Sequence, residues 1–280
     1  MAVSMTHPTP QYLLNGHGDA GISPLDRGFA YGDGVFRTLQ VKDGATVKWT
    51  RHYRKLVDDC NVLGIVCPSA DILLGDIHQL FSGMPNGTRS VAKIVITRGE
   101  AARGYAVPAL AQPTRLVTRS DYPVYPPQNA EEGIQLHLCK LRLGHQPAYA
   151  GIKHLNRLEN VLARMEWNDA AYADGLLLDT EGNVIECTMS NVFARFGSQL
   201  VTPDLHRCGV AGITRGIILE SADQLKLDIN VQDMTLEALL QADEIIVCNS
   251  LVGAWQVRSL AGKHWPKQQL ASTLRSLLQE

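Results

Sequence analysis

A proline-rich segment near the middle of the chain limits the possible folds more than any other feature. Within DYPVYPPQNAEEG, residues 121–133, three prolines occur in five residues. Proline has no backbone N–H and a fixed φ, so neither a continuous helix nor a central strand can pass through such a segment. We therefore predict an interdomain linker over residues 121–133, between a small N-terminal α+β domain, residues 1–120, and a larger C-terminal domain, residues 134–280.

Strand and helix patterns interleave on both sides of this linker. Asn15-Gly16 and Asp43-Gly44 each lie between short apolar runs, which predicts two hairpins. The stretch RHYRKLVDDCNVLGI has helical periodicity and ends at Gly64, a typical helix stop. The second half alternates strands with helices, including a helix after Lys153, but without a regular βαβ rhythm. This favours an α+β fold with mixed sheets.

Composition and charge exclude several classes of protein. Hydrophobic residues make up 45%, charged residues 19%, and the net charge is −2, so no electrostatic footprint points to nucleic acid or an anionic membrane. No apolar run approaches the roughly 20 residues that span a bilayer. The N-terminal stretch MAVSMTHPTPQ lacks the layout of a signal peptide. We expect a cytoplasmic protein without a nucleic-acid or membrane partner.

Cysteine and histidine spacing argues against disulfides and metals. The six cysteines contain no Cys-x-x-Cys pair, and we expect them to be reduced and mostly buried. The nine histidines form neither a His-x-x-x-His nor a His-Glu-x-x-His pattern, so we expect no metal site.

Three other features have the chemistry of a ligand site, and each has a structural alternative. Lys153 lies where a loop or strand end gives way to the predicted helix; it is either a solvated lysine or one that forms a Schiff base with an aldehyde. Glu186 ends an apolar run; it is either a salt-bridge partner or a partly buried carboxylate facing a cation. Gly209 and Gly212 precede a predicted helix, which makes either a tight turn or an anion site.

Together these features match the requirements of pyridoxal 5'-phosphate (PLP): a lysine for its aldehyde, an acid for its ring nitrogen and a helix start for its phosphate. Composition and spacing alone do not decide between this hypothesis and the three structural alternatives.

A longer pattern does distinguish them. The string ECTMSNVFARFGSQLVTPDLHRCGVAGITR, residues 186–215, resembles the signature of the class IV, fold-type IV PLP-dependent enzymes. The matching positions are Glu186, Thr188, Asn191, Val192, Phe193, Thr202, Gly212, Ile213 and Arg215. The family also has a lysine about 33 residues before the glutamate, as here, and the resemblance covers nearly the whole chain. It implies a two-domain, D-amino-acid aminotransferase-like α+β fold with PLP bound in the C-terminal domain.

Three stretches resemble the 4-amino-4-deoxychorismate lyases of this family more than its aminotransferases: residues 31–41, 97–108 and 150–164. The resemblance implies a homodimer that converts 4-amino-4-deoxychorismate, a small molecule, to 4-aminobenzoate and pyruvate in folate biosynthesis. Two alternatives remain: a class IV aminotransferase for D- or branched-chain amino acids, and a PLP-binding protein without this activity.

The resemblance also assigns cofactor residues. Lys153 would form the Schiff base and act in catalysis with Glu186, which would pair with the ring nitrogen. Phosphate ligands would come from Ile213, Thr214, Asn249 and Ser250. The family places an arginine in its H-x-x-R-L helix on the phosphate, where this chain has Lys55 with Arg54 beside it. Which of these two contacts the phosphate is open.

Substrate contacts are less defined by the sequence. Tyr31, Arg98, Arg103 and Tyr105 are candidates for binding substrate carboxylates, although Arg98, Arg103 and Tyr105 also fit a solvated glycine-rich loop. Thr38 would face inward if its strand alternates; it either positions substrate as a catalytic residue or is an ordinary strand residue. His154 is a weaker candidate for an acid, because it should point away from its neighbour Lys153.

Overall fold

The computed structural model describes residues 11–279, and the chain divides into two compact units at Pro123–Val124. The predicted linker, residues 121–133, spans this division, and its role as a linker stays a prediction. Beyond the division the segment is not extended throughout, because a one-turn helix forms at Gln128–Glu131. Ala130 of this helix packs against the core of the second unit.

The first unit is one antiparallel sheet covered by helices. In the described part of this unit, the sheet order is β1-β5-β4-β2-β3. Its strands are β1 Gln11–Leu14, β2 Gly34–Lys42, β3 Ala45–Thr46, β4 Arg89–Thr97 and β5 Thr114–Asp121. Its helices are α1 Arg27–Tyr31, α2 Trp49–Val62 and α3 Ala70–Phe81.

The second unit is a larger mixed sheet. The order is β11-β10-β9-β12-β13-β6-β7-β8, with β14 paired to β13, and the pairs β10–β11, β13–β6 and β6–β7 are parallel. The strands are β6 Ile134–Leu143, β7 Tyr172–Asp179, β8 Val184–Cys187, β9 Asn191–Phe196, β10 Gln199–Thr202, β11 Asp228–Val231, β12 Glu244–Asn249, β13 Gly253–Leu260 and β14 Lys263–His264. The helices are α4 Gln128–Glu131, α5 Leu158–Arg164, α6 Ile213–Glu220, α7 Ala222–Leu225, α8 Leu236–Leu240 and α9 Leu270–Gln279. The prediction of an α+β fold with mixed sheets is confirmed.

The two predicted hairpins have different outcomes. Asp43 and Gly44, both at positive φ, connect β2 to β3 as a tight antiparallel turn. The hairpin at Asn15-Gly16 is reduced to its turn: Leu14 and His17 exchange backbone hydrogen bonds across it, but the strand that pairs with β1 is β5, about 100 residues further along the chain. A turn does form at Asn15-Gly16, but the chain after His17 does not return as a strand.

Helix α2 matches its prediction, whereas the helix after Lys153 begins later than expected. Gly64 follows the C-terminus of α2 with φ at +63°, a left-handed conformation that glycine adopts without strain. Helix α5 begins at Leu158, so Lys153 lies in a non-helical stretch five residues before it. The spacing of apolar residues, among them Val161 and Leu162, predicted a helix that begins directly after Lys153. Both of these side chains are exposed in the structure.

Each unit has its own core. In the first, strand β2 places alternate residues such as Val35 and Leu39 in the interior, where Leu56 of α2 is also fully buried. In the second, the sheet is buried on both faces, since Ile245 and Ile246 of β12 belong to different apolar clusters. This two-sided burial explains the near-continuous apolar runs of the central strands.

The cysteines and the lengths of the helices bear on two expectations drawn from the sequence. The cysteines are all free; five are buried and Cys67 is half-buried. Among the helices of residues 11–279, none has the length and apolar character needed to cross a membrane.

Candidate active site

Lys153 lies in a backbone segment that pairs with the residues before helix α6. Gly151 N–H donates to Gly209 O at 3.0 Å, and Ala211 N–H donates to Gly151 O at 3.0 Å. Gly151 has a φ of +75°, which favours glycine at this position. This pairing keeps the chain non-helical up to Lys153 and places it beside the predicted anion-binding segment.

Glu186 is the buried acid of the site. It lies in β8, is 4% exposed, and its Oε2 accepts a hydrogen bond from Val210 N–H at 2.9 Å. Burial raises the pKa of Glu186 to about 7, although this hydrogen bond and the charges of Arg157 and Lys153 act in the opposite direction. Lys153 and Glu186 therefore lie within electrostatic reach of each other, as their proposed roles require.

The start of helix α6 has no side-chain cap. Gly212 is its N-cap and contributes no side-chain hydrogen bond to the first turn. Asn191 fixes this start by accepting from Gly212 N–H at 3.0 Å and donating to Val210 O at 2.8 Å. The backbone N–H groups of Ile213 and Thr214 therefore lie in the first turn, where a helix binds anions.

A side chain at Gly212 would disturb this arrangement. A Cβ atom there would lie 2.3 Å from Asn191 Oδ1, and one at Gly209 would lie 2.7 Å from Ile185 Cγ2. The two glycines are required because backbone and side chains approach closely around the start of the helix.

Asn249 and Ser250 lie at the turn between β12 and β13. The Asn249 Nδ2 group donates to Met189 O at 3.3 Å and Ser190 Oγ at 3.2 Å. Its Oδ1 accepts from the N–H groups of Leu251 and Val252, both at 2.9 Å. The Asn249 amide therefore shapes the turn that presents half-buried Ser250, and the roles of Asn249 and Ser250 in cofactor binding stay predictions.

The sequence-based prediction missed Arg157. A cavity of about 280 Å³ in the second unit is lined by Glu186, His154 and Arg157, among others. The Arg157 Nε donates to His154 O at 3.0 Å, and its charge lowers the pKa of Glu186. Arg157 lies four residues after Lys153, which places it near the predicted site in the sequence. Spacing alone could not show that Arg157 and Lys153 both act on the Glu186 carboxylate.

The structure argues against His154 as an acid. Burial, together with the nearby charges of Arg157 and Lys153, lowers the pKa of His154 to about 4. The imidazole is therefore neutral near pH 7 and holds no proton of suitable acidity to donate.

Lys55 and Arg54 of helix α2 differ in exposure. Arg54 is exposed, whereas Lys55 is half-buried and forms an ion pair with Asp59 one turn further along α2. Burial lowers the pKa of Lys55 to about 8. Asp59 is fully buried and also pairs with Arg37. The role of either cation at a phosphate stays a prediction.

The structure does not support Arg98 as a substrate ligand. Arg98 is buried and binds Asp33 through Nε and Nη2 at 2.7 and 2.9 Å. The same guanidinium donates to the carbonyl oxygens of Leu63 and Gly64 at 2.7 and 3.0 Å. These four hydrogen bonds hold the loop after α2, so the guanidinium is committed within the first unit.

Other predicted substrate residues lie together on the surface of the first unit. The rings of Tyr31 and Tyr105 are 5.4 Å apart, and Tyr31 Oη accepts a hydrogen bond from Gly104 N–H at 3.3 Å. Arg103 and Tyr105 are exposed. Their roles in substrate binding stay predictions.

Thr38 lies on the sheet face opposite the helices. Its strand buries Val35, Arg37 and Leu39 on one face, and half-buried Thr38 is on the other, across from Lys93. Thr38 therefore does not face the core, and the expectation that it faces inward is wrong. Thr38 is available to a ligand rather than packed in the interior.

The comparison with known structures defines the class of fold. The chain superposes on the branched-chain aminotransferase of Thermoproteus uzoniensis with a TM-score of 0.83 at 19% identity, covering 96% of this chain and 93% of that one. The architecture is thus that of fold-type IV enzymes.

Sequence comparison then gives the family. Residues 34–260 match the family model described as amino-transferase class IV, and the protein belongs to this family. It is 34% identical over 250 residues to the aminodeoxychorismate lyase of Vibrio harveyi, covering 89% of this chain and 91% of that protein. It superposes on the 4-amino-4-deoxychorismate lyase of Pseudomonas aeruginosa with a TM-score of 0.90 and 41% identity, covering 96% and 98% of the two chains.

Proposed function

We propose that the protein is a PLP-dependent lyase that converts 4-amino-4-deoxychorismate to 4-aminobenzoate and pyruvate. The observation that carries this proposal is the placement of Lys153, buried Glu186 and the start of α6 around one site. Two lyases of this name are 34% and 41% identical over most of the chain, which supports this reaction rather than another within the family.

The groups around the site fit PLP. Lys153 would bind its aldehyde carbon, Glu186 its ring nitrogen, and the N–H groups of Ile213 and Thr214 its phosphate, with Ser250 as a further donor. When bound, PLP supplies an electron-poor ring that accepts the electron pair left when a substrate carbon loses its proton. Arg157 supports the ionised form of Glu186, which the ring nitrogen requires as a partner.

Lys153 has a second task as a base. Once Lys153 is free of the cofactor, its amine would remove the proton from the amine-bearing ring carbon of the substrate. The bond between the ring and the enolpyruvyl ether oxygen would then break, and the six-membered ring would become aromatic. The enolpyruvate that leaves takes up a proton, which balances the one removed from the ring, and becomes pyruvate. Lys153 Nζ would accept the proton from a fixed position near the substrate carbon. Formation of the aromatic ring makes the overall conversion favourable.

The substrate carries two carboxylates, and the first unit offers groups to bind them. Arg103 and Tyr105 are exposed and able to contact a ligand, with Tyr31 packed beside Tyr105. Thr38 would position the substrate from the open face of its sheet. Arg98 is left out of this proposal because four of its five N–H donors already bind groups of the protein.

The remaining parts of the proposal concern the context of the enzyme. 4-Aminobenzoate is a folate precursor, so we propose a role in folate biosynthesis in the cytoplasm. We also propose that the enzyme works as a homodimer.

The decisive assay follows both products from purified protein loaded with PLP. With 4-amino-4-deoxychorismate and no amino acceptor, we expect pyruvate and 4-aminobenzoate in equal amounts. Lys153→Ala should reduce the rate by several orders of magnitude, because both nucleophile and base are lost. The exposed Lys140→Ala variant serves as the matched control. Turnover only of D- or branched-chain amino acids with a 2-oxo acid would show an aminotransferase instead.

A further inference from the structure

The turn between β8 and β9, residues 188–190, connects the two segments proposed to bind the cofactor phosphate. Cys187 N–H donates to Ser190 O at 2.7 Å and closes this 188–190 turn. On one side, the Asn249 amide binds Met189 O and Ser190 Oγ. On the other, Asn191 directly follows the turn and holds the start of α6. A displacement of the 188–190 turn therefore moves both anion-binding segments.

Asp174 of β7 holds this turn from the interior. Thr188 Oγ1 donates to Asp174 Oδ1 at 2.6 Å, and Gly175 N–H donates to the same oxygen at 2.8 Å. Thr188 N–H also donates to Gly175 O at 2.9 Å. The turn is thus fixed to β7 at two points, one through the backbone and one through the Asp174 carboxyl.

Burial of the Asp174 carboxyl is unfavourable unless its hydrogen bonds serve the structure or function of the protein. The residue is 1% exposed, and burial raises its pKa to about 6, although hydrogen bonds from Thr188, Gly175, Ser190 and the Met189 backbone act in the opposite direction. A buried carboxyl without an ion-pair partner lowers stability, and an apolar side chain of similar size avoids that cost. What the carboxyl contributes in return is its contact with the 188–190 turn, above all with the Thr188 hydroxyl.

We propose that Asp174 is a positioning residue for the phosphate end of the cofactor site. By fixing the 188–190 turn, it sets the position of Ser250 through Asn249 and of the α6 start through Asn191. This inference rests on the proposed binding of PLP, but not on the identity of the substrate.

The test compares PLP with pyridoxal, which has the same aldehyde and ring but no phosphate. Both are titrated into the cofactor-free full-length protein and followed by absorbance. For Asp174→Ala we expect PLP affinity to fall at least about tenfold and pyridoxal affinity to change less than about twofold. Asp174→Asn should restore the PLP affinity, because its amide oxygen accepts the same two hydrogen bonds.

Two further variants separate this role from a general loss of stability. Thr188→Val removes the hydroxyl contact while keeping the shape of the side chain, so it should also weaken PLP selectively. Combined with Asp174→Ala it should add little, since both remove one interaction. Asp179→Ala removes a buried acid from the other end of β7, where it binds His145 at 2.9 Å. This control should affect PLP and pyridoxal equally.

The proposal is overturned if Asp174→Ala or Thr188→Val weakens PLP and pyridoxal to the same extent, or weakens neither. If Asp174→Ala does not fold, the selectivity of Thr188→Val decides the question. A wild-type protein that binds PLP in preference to pyridoxal but does not turn over 4-amino-4-deoxychorismate would contradict the proposed lyase function alone. The positioning role of Asp174 would then be decided by the variants.

Discussion

The charge of Glu186 links the chemistry of the site to the stability of the protein. Its pKa is raised from the ordinary value of 4.5 to about 7 in the folded chain, mainly by burial. Between these values the folded protein retains a proton that the unfolded chain has released. Stability contributed by this group is therefore fully present below pH 4.5 and is lost as pH rises toward 7.

Glu186→Gln should remove this pH dependence, because the amide does not titrate. We expect the unfolding free energy of the variant, relative to wild type, to rise between about pH 5 and about pH 7.5. Urea unfolding of the cofactor-free proteins at both pH values measures it, with exposed Glu131→Gln as control. An unchanged difference between wild type and Glu186→Gln at the two pH values would show that Glu186 is not protonated in the folded state.

At the scale of single residues, the sequence identifies groups by type and spacing but not by environment. Lys153, Glu186 and Gly212 could be proposed as site residues because the family resemblance fixes their separation along the chain. Arg157 and Asp174 could not be proposed in this way, because their interest depends on burial and on contacts with residues distant in sequence. Arg98 shows the converse, since its residue type suggested a carboxylate ligand but its donors hold a loop.

At the scale of elements, the start of helix α6 offers a direct test of the anion site. Gly212→Ala should lower PLP affinity about tenfold or more, because the new Cβ displaces Asn191, which fixes the helix start. Gly216→Ala lies in the same helix, where a Cβ meets no atom within 4 Å, and serves as the control. Cofactor titration of both variants measures the effect. Equal affinities would show that the phosphate binds elsewhere.

Helix α2 carries the prediction about the family's missing arginine. Lys55→Ala should weaken PLP binding more than Arg54→Ala, because Lys55 is on the half-buried face and Arg54 points into solvent. A charged contact with phosphate contributes about 1.5–3 kcal/mol, or roughly one to two decades in affinity. PLP titration of both variants measures the difference. A larger loss of affinity for Arg54→Ala would show that Arg54, not Lys55, contacts the phosphate. Small and equal losses would show that the start of α6 binds the phosphate without either cation.

Element boundaries show where local patterns fail. Periodicity predicted a helix directly after Lys153, but pairing of Gly151 with Gly209 and Ala211 keeps that segment non-helical. The hairpin predicted at Asn15-Gly16 is reduced to its turn for a related reason, since β1 finds its partner in a strand distant in sequence. In both cases a long-range backbone interaction overrides a valid local signal.

At the scale of the whole molecule, apolar side chains on the surface support the proposed homodimer. Leu158, Val161 and Leu162 of α5 are 67%, 54% and 45% exposed, and Leu158 lies three and four residues before the other two, on the same side of the helix. Neighbouring exposed apolar side chains of this kind are typical of protein interfaces. We propose that a second copy of the chain covers this face.

Sedimentation analysis should give a mass of about twice the chain mass of 30.7 kDa. Val161→Asp should shift the protein toward monomer. Val231→Asp replaces a valine of similar exposure, 47%, outside this face and should not. A mass of one chain at all accessible concentrations would contradict the homodimer, and a dimer unaffected by Val161→Asp would place the interface elsewhere.

The assignment of Lys153 as the covalent partner of the cofactor is the central claim, and chemical trapping tests it most directly. The protein loaded with PLP is reduced with borohydride, digested and analysed by mass spectrometry. We expect one modified peptide, with the reduced cofactor on Lys153 and none on Lys140. Attachment to a different lysine, or no attachment at saturating PLP, would contradict the account of this site.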